Sequence, residues 1–188
     1  FWAAKTPRLT ADTVRSLMPK YYGMVECLDD NIGRILATLR QNKILEHTVI
    51  AFTSDHGDLC GEHGRLNKGV PYEGSARIPF LFYVPGKIKG GTVVNEALSC
   101  VDFLPTVMNL MGHQTAGREQ GRNAAALFQR KTTDWNDITC IRSTSGGNSW
   151  IMAASDDLKL VFANQGKPWL FDLKNDPDEL DNHLAKPE

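Results

Sequence analysis

The sequence predicts an α/β protein in two parts: a sheet with flanking helices over residues 1–112 and a small antiparallel α+β subdomain over 113–188. Three observations lead there. A long amphipathic helical pattern runs into a nearly continuous β-branched segment, that segment ends abruptly in a cluster of ionisable residues, and the last third of the chain breaks into short strand-sized runs separated by turn formers.

Thr10 suits the N-cap of a short helix that Pro19 interrupts or restarts, since proline fits a first helical turn and disrupts an interior. Beyond it Tyr22, Val25, Leu28, Ile32, Ile35, Leu36 and Leu39 recur at three- and four-residue steps. They form one apolar stripe on a helix of about five or six turns, suited to packing on a sheet, with Glu26, Asp30, Arg34 and Arg40 toward water. After the turn-like Gln41-Asn42-Lys43, the run Thr48-Val49-Ile50-Ala51-Phe52-Thr53 is expected to be a strand covered on both faces. A second strand is expected over 78–84, closed by Pro85-Gly86. Ser99 or Asp102 can cap a helix carrying Leu104, Val107, Met108 and Met111, which Gly112 ends by supplying a left-handed residue.

The polar, glycine-containing stretch 113–121 marks the boundary. Past it, strands are expected over 138–142, 150–154, 158–163 and 169–173. Their separators, Gly146-Gly147-Asn148, Ser155-Asp156-Asp157 and Asn164-Gln165-Gly166-Lys167-Pro168, favour tight connections and hence an antiparallel meander. Trp150, Phe162, Trp169 and Phe171 are expected in its core and not on a sugar-stacking platform.

Composition excludes some functions. Lys plus Arg (21) balance Asp plus Glu (22) to a net charge of -1, so no global basic field exists to bind nucleic acid or an anionic membrane. No run approaches the roughly 18–20 apolar residues of a membrane helix, and neither nucleic acid nor membrane is an expected partner. The 41% hydrophobic content is that of a compact soluble protein. Cys27, Cys60, Cys100 and Cys140 form no CxxC pair, which argues against a zinc knuckle and a disulfide scaffold. Phe1 to Pro7 lacks an initiator Met and the order of a signal peptide, and reads as the interior of a longer polypeptide.

The chemistry gathers after the first strand. Asp55 and His56 stand in a loop that must turn at Gly57, which lets a carboxylate and an imidazole converge as a partial metal site. The plainer alternative for the dipeptide is a capping Asp and a surface His. Asp58, Glu62, His63 and Lys68 follow closely among Gly57, Gly61, Gly64 and Gly69, and such crowding beyond a buried strand marks the ligand end of an open sheet. His63 can face a substrate or protonate a leaving group, or else brace the loop through Glu62 or Asp58. Glu73 and Arg77 are spaced as a helical ion pair, and with Tyr72 they are expected to hold the loop on the next strand; Asp102 reads as a cap or brace and not a ligand.

The string Thr53-Ser54-Asp55-His56-Gly57-Asp58-Leu59-Cys60-Gly61-Glu62-His63-Gly64, with Lys68, Tyr72-Glu73-Gly74-Ser75-Ala76-Arg77-Ile78-Pro79 and Pro85-Gly86, resembles the sulfatase family of the alkaline-phosphatase-like superfamily. Asp102-Phe103-Leu104-Pro105-Thr106 and Leu170-Phe171-Asp172-Leu173-Lys174-Asn175-Asp176-Pro177-Asp178-Glu179 resemble the family's later signatures, so the likeness covers most of the chain. It implies the C-terminal part of an alkaline-phosphatase-like sheet. It further implies that Asp55 and His56 are two ligands of a divalent cation, calcium above all, with manganese, magnesium or zinc kept open by the histidine. Lys68 matches the lysine that contacts the sulfate, and Lys68 and His63 are the candidate catalytic side chains. The implied substrate is a sulfate ester, with a sulfated carbohydrate one class of it.

The family's nucleophile is a formylglycine made from Cys or Ser in a Cys/Ser-x-Pro/Ala-x-Arg motif, and none of the four cysteines here begins that motif. The family's earlier Asp pair has no match either, because Asp29-Asp30 fall within the amphipathic helix. The chain alone is therefore expected to be inactive and, lacking part of its sheet, to self-associate through exposed apolar edges. Two alternatives accompany the sulfatase expectation: a phosphonate monoester or phosphodiester hydrolase of the same superfamily, which the His56 form permits, and a non-catalytic sulfatase-like binding module.

Overall fold

The computed structural model describes residues 9–143 and 149–184. Its first element, α1 (Ala11–Gln41), starts where Thr10 accepts the Thr13 amide at 3.2 Å. Pro19 lies inside this helix and does not divide it, contrary to the sequence expectation. The missing N–H costs one intrahelical bond, and the carbonyl left over belongs to solvent-exposed Arg15, where water can serve it.

The apolar stripe of α1 is only partly used. Val14, Leu17, Tyr21, Ile32, Leu36 and Leu39 are half-buried, whereas Tyr22, Leu28 and Ile35 are 63%, 52% and 60% exposed. The expected packing along a sheet is thus not realised among the described residues. A 31-residue helix is about 46 Å long, whereas the two strands of the first sheet span about 13 Å.

Those strands are β1 (Ile50–Thr53) and β2 (Phe80–Tyr83), an antiparallel pair in register Ile50 with Tyr83 through Thr53 with Phe80. The expected double cover of the first strand fails here too: Ile50 is half-buried and Ala51, Phe52 and Thr53 are exposed. On β2, alternation points Phe80 and Phe82 inward, and these rings hold the local core together. They pack on Phe103 of α3 (Phe103–Met111) and on Phe128 of α4 (Ala125–Phe128), the Phe82–Phe128 centroids lying 4.9 Å apart edge to face. Ala124, Leu127 and Phe128 are buried in the same cluster, so residues beyond 113 complete the core of the part before it. Asp102 stands at the N-cap position of α3 but bonds none of the helix amides; its carboxylate accepts the Ser99 amide at 2.9 Å, in the capping box of the 3-10 turn Cys100–Asp102, and the Arg122 amide at 2.6 Å, while Gly112 at φ 86° ends the helix as expected.

The remainder is the expected meander. Strands β3 (Thr139–Ser143), β4 (Trp150–Ala154), β5 (Leu158–Ala163) and β6 (Trp169–Asp172) pair antiparallel in sequence order. The turn expected at 146–148 lies outside the described residues. Trp150, Met152, Val161 and Phe171 are buried on the inward face. Phe162, expected in the core, is 52% exposed because its position on β5 shares parity with Leu158 and not with Val161. Between the two short elements α2 (Glu73–Ala76) and β1 runs the long loop that carries the site.

Candidate active site

The loop from residue 54 to α2 is a folded unit. The Gly57 amide donates to the Ser75 carbonyl at 2.9 Å, and a Cβ at Gly57 would collide with the Gly74 carbonyl oxygen, so the outgoing and returning arms touch at two glycines. Leu59, 1% exposed, anchors the outgoing arm. One oxygen of Asp58 accepts the amides of Cys60 and Asn67 at 3.0 and 3.1 Å, closing the turn between them. Asp58 is therefore a loop brace.

Asp55 and His56 converge as the sequence suggested. The Nδ1 of His56 lies 2.8 Å from the Gly57 carbonyl oxygen, which can only accept. A proton on Nδ1 satisfies that contact and leaves Nε2, 3.5 Å from Oδ2 of Asp55, as the ring nitrogen that can turn to a ligand. The other Asp55 oxygen accepts the His56 amide at 3.0 Å and faces the Ser54 hydroxyl at 3.4 Å, leaving Oδ2 for an external partner. Two ligands of one divalent ion, each at about 2.0–2.4 Å from it, stand about 3–3.6 Å apart, so this pair fits a shared cation. Among the described residues no group of three or more His, Cys, Asp or Glu side chains gathers to hold an ion.

Lys68 lines the same open hollow as Asp55 and His56, with Arg77 and Arg142 also on its wall. It is exposed and makes no hydrogen bond to the described residues. Its neighbour is pinned: the Gly69 amide donates to Ser75 Oγ at 3.1 Å, and the Gly69 carbonyl accepts Trp150 Nε1 at 3.1 Å.

His63 is not part of the hollow's lining. Its ring stacks on Tyr72 with centroids 3.7 Å apart and planes 11° from parallel, and Tyr72 stacks in turn on Trp169. Partial burial pulls the imidazole pKa below its ordinary value. The brace at His63 is thus an aromatic ring and not a bond to Glu62 or Asp58.

Glu73 and Arg77 form the anticipated i,i+4 pair, at 4.0 Å, yet Glu73 has a nearer partner that sequence reading missed. Lys159 Nζ lies 2.6 Å from Glu73 Oε1, 2.7 Å from Glu179 Oε1 and 3.0 Å from the Pro71 carbonyl oxygen. Burial pushes the Glu179 carboxyl up, against the pull of the Lys159 ammonium. No local pattern announced it: Leu158, Leu160 and Phe162 make the face opposite Lys159 the more apolar one of β5, so alternation alone would turn the lysine outward.

Comparison with known proteins defines the class. Residues 2–113 match the sulfatase family model, and residues 61–188 match the model described as N-sulphoglucosamine sulphohydrolase, C-terminal. The chain belongs to the sulfatase family. It is 35% identical over 173 residues to an arylsulfatase of Clostridium perfringens, covering 89% of this chain and 36% of that protein. The solved structure of BT4656 in complex with its substrate D-glucosamine-2-N,6-O-disulfate superposes with a TM-score of 0.83 at 27% identity, over 98% of this chain and 40% of that one. The fold also matches a phosphonate monoester hydrolase from Silicibacter pomeroyi, with a TM-score of 0.83 at 23% identity over 99% of this chain and 40% of that one. The chain thus spans little more than a third of the length of the relatives it matches.

Proposed function

We propose that the protein carrying this chain hydrolyses sulfate esters, with sulfated carbohydrate as the substrate class. The observation that carries this reading is the meeting of two metal-type donors, 3.5 Å apart, with a lysine on one hollow at the end of β1. Support comes from the arylsulfatase relative and from the neighbour solved with a disulfated glucosamine.

Asp55 Oδ2 and His56 Nε2 would hold a divalent cation, calcium in the first place. Bound there, the ion would withdraw charge from the sulfuryl oxygens. The Gly57 carbonyl favours the His56 tautomer that can ligate. Lys68 would offset the negative charge that builds on the bridging oxygen as the S–O bond breaks, an interaction stronger in the transition state than in the ground state. The attacking oxygen would come from formylglycine, whose motif is not among these 188 residues, so the chain alone is proposed to be inactive.

In the whole protein, Asp55→Ala is expected to slow aryl sulfate hydrolysis by about 10²–10³-fold and to raise the cation concentration needed for half-maximal rate. An unchanged rate overturns the reading. Faster turnover of a phosphonate monoester than of a sulfate ester by the wild type would reassign the substrate to the alternative ester class.

A further inference from the structure

Lys159 breaks the pattern of its own strand. On β5 it shares parity with Val161, and its cross-strand partners are Ala154 and Phe171, yet its side chain is fully buried among them. Its three protons all find oxygens: the Pro71 carbonyl, Glu73 and Glu179. A second, independent feature points the same way. Glu179 holds φ at 53°, a left-handed conformation that non-glycine residues enter at a cost, and in it the second carboxylate oxygen accepts the Glu73 amide at 2.6 Å.

Both contacts land on the same short segment. Pro71 and Glu73 lie three and five residues beyond Lys68, and the intervening Gly69 is held by Trp150 of the same meander. Were this only an anchor, apolar residues of similar volume would serve as well, since a buried ion pair is often replaceable without loss of stability. Directional bonds do what apolar packing cannot: they fix one carbonyl and one amide in position.

We propose that Lys159, together with Glu179, is a positioning residue that acts through Pro71 and Glu73 to set where Lys68 stands relative to Asp55 and His56. The inference rests on the sulfatase reading for the role of Lys68, but not for the mechanical link itself.

The test uses the whole protein and two variants. Lys159→Met removes the ammonium and leaves the buried Glu179 carboxylate facing the half-buried one of Glu73, so it can fail to fold. Glu179→Gln keeps the volume and sets an amide NH₂ in competition with the oxygen that the Glu73 N–H requires. For Glu179→Gln, kcat per folded molecule on an aryl sulfate is expected to fall about 10–100-fold, the range for residues that support a site from behind, with KM within about twofold. Hydrogen exchange at the Gly57 and Gly69 amides, neither of which bonds to Glu179, is expected to accelerate. A purely structural role would lower the folded fraction while leaving kcat per folded molecule and those two amides unchanged, and either of these results overturns the proposal. Faster exchange at Glu73 alone also overturns it. If the wild type hydrolyses no sulfate ester, the functional reading fails by itself, and exchange at Gly57 and Gly69 alone decides on Lys159.

Discussion

The two sheets of this chain are built to different standards. The β3–β6 meander has four strands, a buried face and a regular alternation, with Met152 and Val161 each 2% exposed. The β1–β2 pair has four residues per strand, and β1 contains no buried residue. Yet the candidate site hangs from the weaker sheet. The resolution lies in the ties between them: Trp150, Lys159, Glu179 and Trp169 of the C-terminal part each reach back to the loop that bears Lys68. A site that must hold geometry can sit on a loop when a rigid neighbour supplies the bonds.

This contrast breaks if the meander proves dispensable for stability, or if the loop proves indispensable for it. Trp150→Ala empties a buried position and removes the bond to Gly69, and should cost about 3–5 kcal/mol, read as a lowered urea midpoint by circular dichroism. A loss under about 1 kcal/mol would mean that the meander is not the anchor. Lys68→Met should do the reverse. Because the side chain is exposed and unbonded among the described residues, stability should stay within about 0.5 kcal/mol, while sulfate ester hydrolysis falls about 10²-fold. Equal loss of stability and rate would show that Lys68 holds the loop together and does not act on substrate.

How much of this was legible beforehand depends on whether the determinant is periodic. The long helix and the meander follow from steps of 3.6 and 2 residues, and all four meander strands agree with the expected spans to within a residue at either end. β1 was legible as a strand but not in its surroundings, because cover depends on neighbours that no local pattern encodes. Asp55 and His56 were visible as ionisable residues crowded beyond a strand; the contact of the His56 ring with the Gly57 carbonyl was not. Lys159 was obscured because both faces of Leu158-Lys159-Leu160-Val161-Phe162 contain apolar residues, so parity alone did not announce which side is inward. Glu179 follows Pro177-Asp178 in a non-repeating stretch, and its partner lies 20 residues earlier in the sequence.

The smallest expected effect concerns the remaining tie, the stack of His63 on Tyr72 and Trp169. Because burial depresses the His63 pKa in the folded state, the unfolded chain takes up the proton first on acidification. The stability this group contributes is therefore complete above its unfolded pKa of about 6.5 and is lost as pH falls through the lower folded value. His63→Phe keeps a flat ring for Tyr72 and removes the proton. The stability of the variant relative to the wild type should accordingly rise as pH falls below about 6.5 and stay level above it. Urea unfolding of both proteins across that range decides the point: a difference that does not change with pH would mean that the imidazole is as free to protonate in the folded loop as in the unfolded chain, and that the stack contributes no more than a contact between exposed rings.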